Sequence, residues 1–170
     1  VTPYALTVDA GVRDLRTADR LLHALAAELA LPEGTFGCTH LVRDGRPRVA
    51  LSLAVPSRPL LSTVRERLAA RAHEVTPGIP DAMGRAVLYP GATALTGTLS
   101  VATVLDRSAI TRVTVLGSPG RPDPETPLMT RNHVRPHWHE GELVLTAMPA
   151  VGGTLVPFEV PEPTPCCADH

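Results

Sequence analysis

The chain has 170 residues, 16 basic and 17 acidic side chains and a formal charge of −1. That length is a prior for one domain, and an apolar share of 44% provides a core without disulfide or metal staples, which excludes a disordered chain. Near-neutral charge argues against a general nucleic-acid binder, no apolar run is long enough for a membrane span, and no charged-then-apolar leader is expected before the first strand-like segment, so neither nucleic acid nor membrane is an expected partner.

In chain order, residues 3–9 read as a strand. Ala18, Leu21, Leu22, Leu25, Ala26 and Leu29 then fall at helical spacing between Thr17 and Leu31, and Pro32 and Gly34 end that helix. Residues 36–43 and 47–55 flank Asp44-Gly45, a strong hairpin signal, with Val49, Leu51, Leu53 and Val55 on one face. Ser57 caps a second helix, with Pro59 in its first turn and Leu60, Leu61, Val64, Leu68 and Ala72 on one stripe. A strand at Ala86–Tyr89 completes the order β-α-β-β-α-β, that of a ferredoxin-like sandwich with helices on one face of a mostly antiparallel sheet.

Beyond residue 90 the sequence shows no helical period. Residues 93–105, 110–116, 131–139, 142–148 and 153–159 read as strands, and four prolines keep 117–127 irregular. The expected organisation is a single α+β domain over 1–170. A ferredoxin-like half (1–90) precedes a β-rich half (91–160) and a Pro-rich tail (161–170).

The most informative stretch for chemistry is Arg131 to His139. If extended, it sets Arg131, His133, Arg135, His137 and His139 on one face, with Asn132, Val134, Pro136 and Trp138 on the other. A turn at Glu140-Gly141 then places His139 opposite Glu142, His137 opposite Val144, Arg135 opposite Thr146 and His133 opposite Met148. His137, His139 and Glu142 form a two-His, one-carboxylate set that suits a divalent metal, while Arg131 and Arg135 suit a substrate anion. Pro136 lacks an N–H, which points to an edge strand or a bulge, and a homodimer could pair through such an edge. The solvated alternative is a surface rich in His and Arg.

Cys166-Cys167-Ala168-Asp169-His170 is the second candidate. The spacing of Cys167 and His170 lets a short loop chelate zinc, or a thiol there act as nucleophile with His170 as base. Cys38 and His40 form a third pair, read as structural because Phe36 shares their face and free Cys is commonly buried. With these two, Cys38 completes a count of three cysteines, too few and too closely placed for a disulfide framework, which points to a reducing cytoplasm. Every basic residue is arginine, so this chain cannot supply a Schiff-base lysine, a covalent pyridoxal phosphate anchor or a P-loop lysine.

The sequence thus supports a small metal-dependent enzyme acting on an anionic small molecule: a hydrolase, lyase or isomerase. His137, His139, Glu142 and His170 would hold zinc in preference to iron, and Arg131 and Arg135 would bind substrate charge. His133 would move protons, the 117–127 loop would serve as a lid, and Cys167 is a second catalytic candidate. The alternatives are a non-catalytic small-ligand-binding or assembly module with at most a structural metal, and a Cys/His nucleophilic enzyme without metal.

Overall fold

The computed structural model describes residues 4–161. Its first elements are β1 (Ala5–Asp9), α1 (Leu15–Glu28), β2 (Phe36–Val42), β3 (Arg48–Ala54), α2 (Arg58–Ala69) and β4 (Glu74–Pro77). These strands lie in the order β4-β1-β3-β2, each pair antiparallel. Asp14 caps α1 by accepting the Thr17 N–H at 2.8 Å, and Ser57 caps α2 by accepting the Leu60 N–H at 3.4 Å. Each cap satisfies a backbone donor that the first helical turn leaves without a partner.

Leu22 and Leu25 of α1, Leu29 just after it, and Val64 and Leu68 of α2 share one core with Leu6, Val8, Val49, Leu51 and Leu53. Alternation along β1 and β3 puts those strand residues on a single face, so both helices cover the same side of the sheet. Register is therefore fixed by burial: a one-residue slip of β3 would carry its leucines away from the helices and drive Ser52 under them. The other face of β2 and β3 carries Phe36, Cys38, His40, Ser52 and Ala54.

The strand that follows α2 is Glu74–Pro77, not Ala86–Tyr89 as the sequence suggested. Four residues ending in proline give too short a pattern to notice, yet their backbone pairs along β1. The next strand, β5 (Arg85–Leu88), pairs instead with the free edge of β2 and carries the sheet into the second half. Its boundary with the first half is thus bridged by backbone hydrogen bonds.

The second half contributes β6 (Thr98–Ser100), α3 (Val101–Arg107), β7 (Arg112–Val115), β8 (Pro127–Met129), β9 (His137–His139), β10 (Glu142–Ala150) and β11 (Thr154–Pro157). The result is an α+β fold in which the described residues form one mixed, mostly antiparallel sheet of 11 strands. β7 on β10 and β8 on β11 are its parallel pairs. Val144 pairs with both His137 and Arg112, and Ala147 with both Val115 and Pro157. A residue has one neighbour on each side, so β7 runs along one edge of β10 while β9 and β11 share the other. Val101, Val104, Ile110, Val113, Leu128, Leu143, Leu145 and Leu155 build a second core here.

Three expectations for this half are corrected. The extended segment read at 93–105 is a 3-10 turn (Ala92–Ala94), then β6, then α3. Ser100 starts α3 by accepting the Thr103 N–H at 3.1 Å, and Pro124 and Thr126 carbonyls take the Ala102 and Val101 N–H groups. The 117–127 loop therefore closes the start of α3. The strand read at 131–139 is confined to 137–139, because Arg131 and Asn132 take positive φ values of 54° and 52° and turn the chain. Nor is Pro136 on an edge: its carbonyl accepts the Ala86 N–H at 2.8 Å, and Arg85 pairs with His137. A proline is tolerated between β5 and β10 because the sheet there uses only its acceptor. The edge that offered a homodimer a place to pair is covered by β5.

Candidate functional site

The hairpin register expected from the sequence holds at its turn end. His139 faces Glu142, Trp138 faces Leu143 and His137 faces Val144. Trp138 packs against the second core, where Leu143, Leu145 and Ala147 are buried, so the apolar side of that hairpin is a core layer. Further from the turn the pairing ends, and Arg135–Thr146 and His133–Met148 are not strand partners. Glu142 is exposed and ion-paired with Arg112 at 3.2 Å, and Arg131 is exposed in its turn. Among the described residues no three His, Cys, Asp or Glu side chains come together in a group suited to a metal ion. Cys166, Cys167 and His170 lie outside the described residues.

His133 and Arg135 do converge, on partners far away in sequence. Arg85, buried on β5 beneath α1, donates from Nη1 and Nη2 to Asp19 at 2.6 and 3.0 Å. Its Nε donates to Glu159 at 2.8 Å, and Nη2 to the same carboxylate at 2.5 Å. Arg135 Nε donates to Asp19 at 3.1 Å, and His133 Nε2 lies 3.0 Å from Glu159. Two arginines and a histidine thus surround two carboxylates. Burial would raise the Glu159 carboxyl, but hydrogen bonds from Arg85 and His133 outweigh it and hold the group below its ordinary range. The guanidinium of Arg135 is engaged by a protein carboxylate, which leaves this cluster an internal clasp between α1, β5 and the segment after β11.

A different constellation occupies the opposite face of the sheet. Phe36, Cys38, His40, Ser52 and Ala54 floor a cavity of about 420 Å³. Trp138 forms one wall, its ring 5.3 Å from that of Phe36 and tilted by 56°. The segment between β4 and β5 supplies the rest through Ile79, Pro80, Ala82, Met83 and Gly84. Ile79 and Met83 are more than half exposed, at 53% and 60%, which puts two large apolar side chains at the opening. Most of the lining is carbon.

At the floor the polar atoms form a chain. His40 Nδ1 is 3.0 Å from the Ala82 carbonyl oxygen, and Nε2 is 2.7 Å from Ser52 Oγ. A carbonyl can only accept, so Nδ1 carries the proton and Nε2 presents its lone pair. Ser52 is then the donor to Nε2. Burial pushes the His40 imidazole below its ordinary value, partly offset by the Ala82 contact, which favours this neutral form. Gly84 lies over the ring: a Cβ there would stand 2.9 Å from His40 Cε1. Burial also pushes the Cys38 thiol up to about 11, against the opposing influence of Trp138 and Ser52, so Cys38 stays protonated.

Sequence reading weighed Cys38 and His40 but passed over Ser52, Arg85, Asp19 and Glu159. Ser52 was accessible to it. The Asp44-Gly45 turn fixes a register in which Cys38 faces Ser52, and a serine alternating with Leu51 and Leu53 shares the face of His40. No comparable signal links Asp19, Arg85 and Glu159, which long-range strand order alone brings together. No protein-family model, curated protein or solved structure matches this chain.

Proposed function

We propose that the chain binds a compact, largely apolar small molecule with one hydrogen-bonding group, seated in the cavity between Trp138 and the floor of β2 and β3. The observation that carries this reading is one polar chain, Ala82–His40–Ser52, at the base of an otherwise apolar cavity. Apolar walls with a few fixed polar groups are the usual composition of a small-ligand site, where burial supplies affinity and the polar group sets orientation. Ser52 Oγ has lone pairs to accept from a ligand while its proton is held by His40.

Trp138 is the chain's one tryptophan and lines the site, so its fluorescence reports occupancy. Titration with p-nitrophenol, an aromatic ring with one hydroxyl, is expected to quench it saturably. Ala54→Leu, which fills the floor, is expected to weaken that binding about tenfold or more, equivalent to about 1.4 kcal/mol. Quenching that rises linearly without saturation, or is indifferent to Ala54→Leu, contradicts the reading.

We further propose a ferredoxin-like topology for the first half. Residues 5–77 form a ferredoxin-like sandwich, supported by the order β4-β1-β3-β2 and by both helices packing on one face. Helices on one side leave the other sheet face to be covered by something else, and the cavity lies where that cover is incomplete.

A second reading retains a divalent-metal enzyme acting on an anionic small molecule. What favours it is the register that sets His139 opposite Glu142. The set needs a further ligand, for which the sequence offers Cys167 and His170. Elemental analysis of untagged protein tests it: about one zinc or iron per chain, lost in His137→Ala/His139→Ala, supports the reading. Folded protein free of metal contradicts it.

A further inference from the structure

We propose that Ser52 is an acylatable nucleophile, with His40 as its general base, toward small esters whose apolar part fits the cavity. The inference rests on the ligand-binding reading and gives that site a chemistry. Its basis is direction as much as distance. In a buried Ser–His pair the hydroxyl could either donate or accept, and only donation prepares the oxygen for attack. Here the Ala82 carbonyl decides, because it takes the proton of Nδ1 and leaves Nε2 bare at 2.7 Å from Ser52 Oγ. The arrangement is nucleophile, base and orienting acceptor in series, with a backbone carbonyl as the third member.

The reaction balances without any redox partner. Ser52 Oγ forms a bond to the ester carbonyl carbon as its proton passes to His40 Nε2. The bond from that carbon to the leaving oxygen then breaks, and the leaving group takes the proton from Nε2. Water, the co-reactant, then bonds to the acyl carbon as its proton passes to His40 Nε2; the bond from that carbon to Ser52 Oγ breaks, Nε2 returns the proton to Oγ, and the carboxylic acid leaves. The Ala82 carbonyl stabilises the transient imidazolium through Nδ1–H. Burial works against that cation, so acylation is expected to be slow compared with an exposed triad and to accelerate with pH until the imidazole is wholly neutral. The adjacent Cys38 does not compete, because its thiol remains protonated at neutral pH.

The chain has no lysine, which removes the commonest site of adventitious acylation. Intact protein is therefore incubated with p-nitrophenyl acetate, and the adduct is mapped by peptide mass spectrometry while p-nitrophenol release is followed. The expected result is a single acetyl group on Ser52, absent in Ser52→Ala and formed roughly 10²–10⁴-fold more slowly in His40→Gln. Mapping on the unmodified chain does not depend on how well either variant folds. No acetyl on Ser52 and no p-nitrophenol release beyond that of Ser52→Ala, while p-nitrophenol still quenches Trp138 saturably, overturns this inference and leaves the binding reading standing. Loss of both signals overturns both.

Discussion

Replacing Arg85 by methionine keeps an unbranched apolar stem and removes the guanidinium with its charge. The structure gives the consequence a size. Arg85 is 6% exposed and makes four charge-assisted contacts to Asp19 and Glu159, and none of these can be replaced by a thioether. Removing one partner of a buried ion pair costs about 3–5 kcal/mol, because the carboxylates stay buried without compensation. Two features pull the value to the lower end. Asp19 keeps Arg135, and Glu159 keeps His133 with a side chain that is 31% exposed. A loss of about 3 kcal/mol in a domain of this size corresponds to a fall in Tm of roughly 6–12 °C. Urea denaturation followed by far-UV circular dichroism measures it, with an unchanged m-value showing that the same surface is exposed. An Arg85→Met variant within about 0.5 kcal/mol of the parent would refute the view of this cluster as a buried clasp.

Gly84→Ala places a methyl 2.9 Å from His40 Cε1 and 3.4 Å from Trp138 Cδ1, against a ring pinned at both nitrogens. It is expected to cost about 1–3 kcal/mol by overpacking and to weaken p-nitrophenol quenching; unchanged stability and binding would mean the ring moves freely. Leu128, fully buried in the second core, gives a loss of about 2–5 kcal/mol as Leu128→Ala in the same denaturation assay, and a value near zero would mean that core is loose. Burial lowers the imidazoles of His40, His137 and His23 from the ordinary 6.5. A lowered folded value contributes stability that is present above the unfolded value and is lost as pH falls below it, so urea midpoints should drop between about pH 7 and pH 5. His40→Gln should flatten part of that slope. A midpoint that rises on acidification would contradict the sign.

Much of the first half can be read from local pattern. Leu22, Leu25 and Leu29 keep helical phase, Asp44-Gly45 sets the hairpin, and Ser57 with Pro59 announces α2, all within windows of a few residues. What local reading lost were features whose cause is distant. α3 has two turns, and a run of Val101, Thr103 and Val104 resembles a strand until its N-terminal donors meet the carbonyls of Pro124 and Thr126. The alternation of Arg and His over 131–139 suggested one cationic face. Thr130, however, bonds Gly97 through both its N–H and its hydroxyl, Asn132 accepts from the Gly97 N–H, and the chain turns there instead of pairing. His133 and Arg135 were read as a proton carrier and a binder of substrate charge; in the structure their partners are Glu159 and Asp19 of the protein itself. No spacing rule connects residues separated by most of the chain. Ser52 is the instructive case between these extremes, since the hairpin register places it beside His40 and only its ordinariness hid it.

The polar chain at the cavity floor is tested most directly by long-range proton–nitrogen NMR of the histidine side chains at neutral pH. His40 is expected to be neutral and protonated at Nδ1, with an Nε2 resonance that shifts as p-nitrophenol saturates the site. An Nε2-protonated or charged His40, or a resonance unmoved by p-nitrophenol, would contradict it.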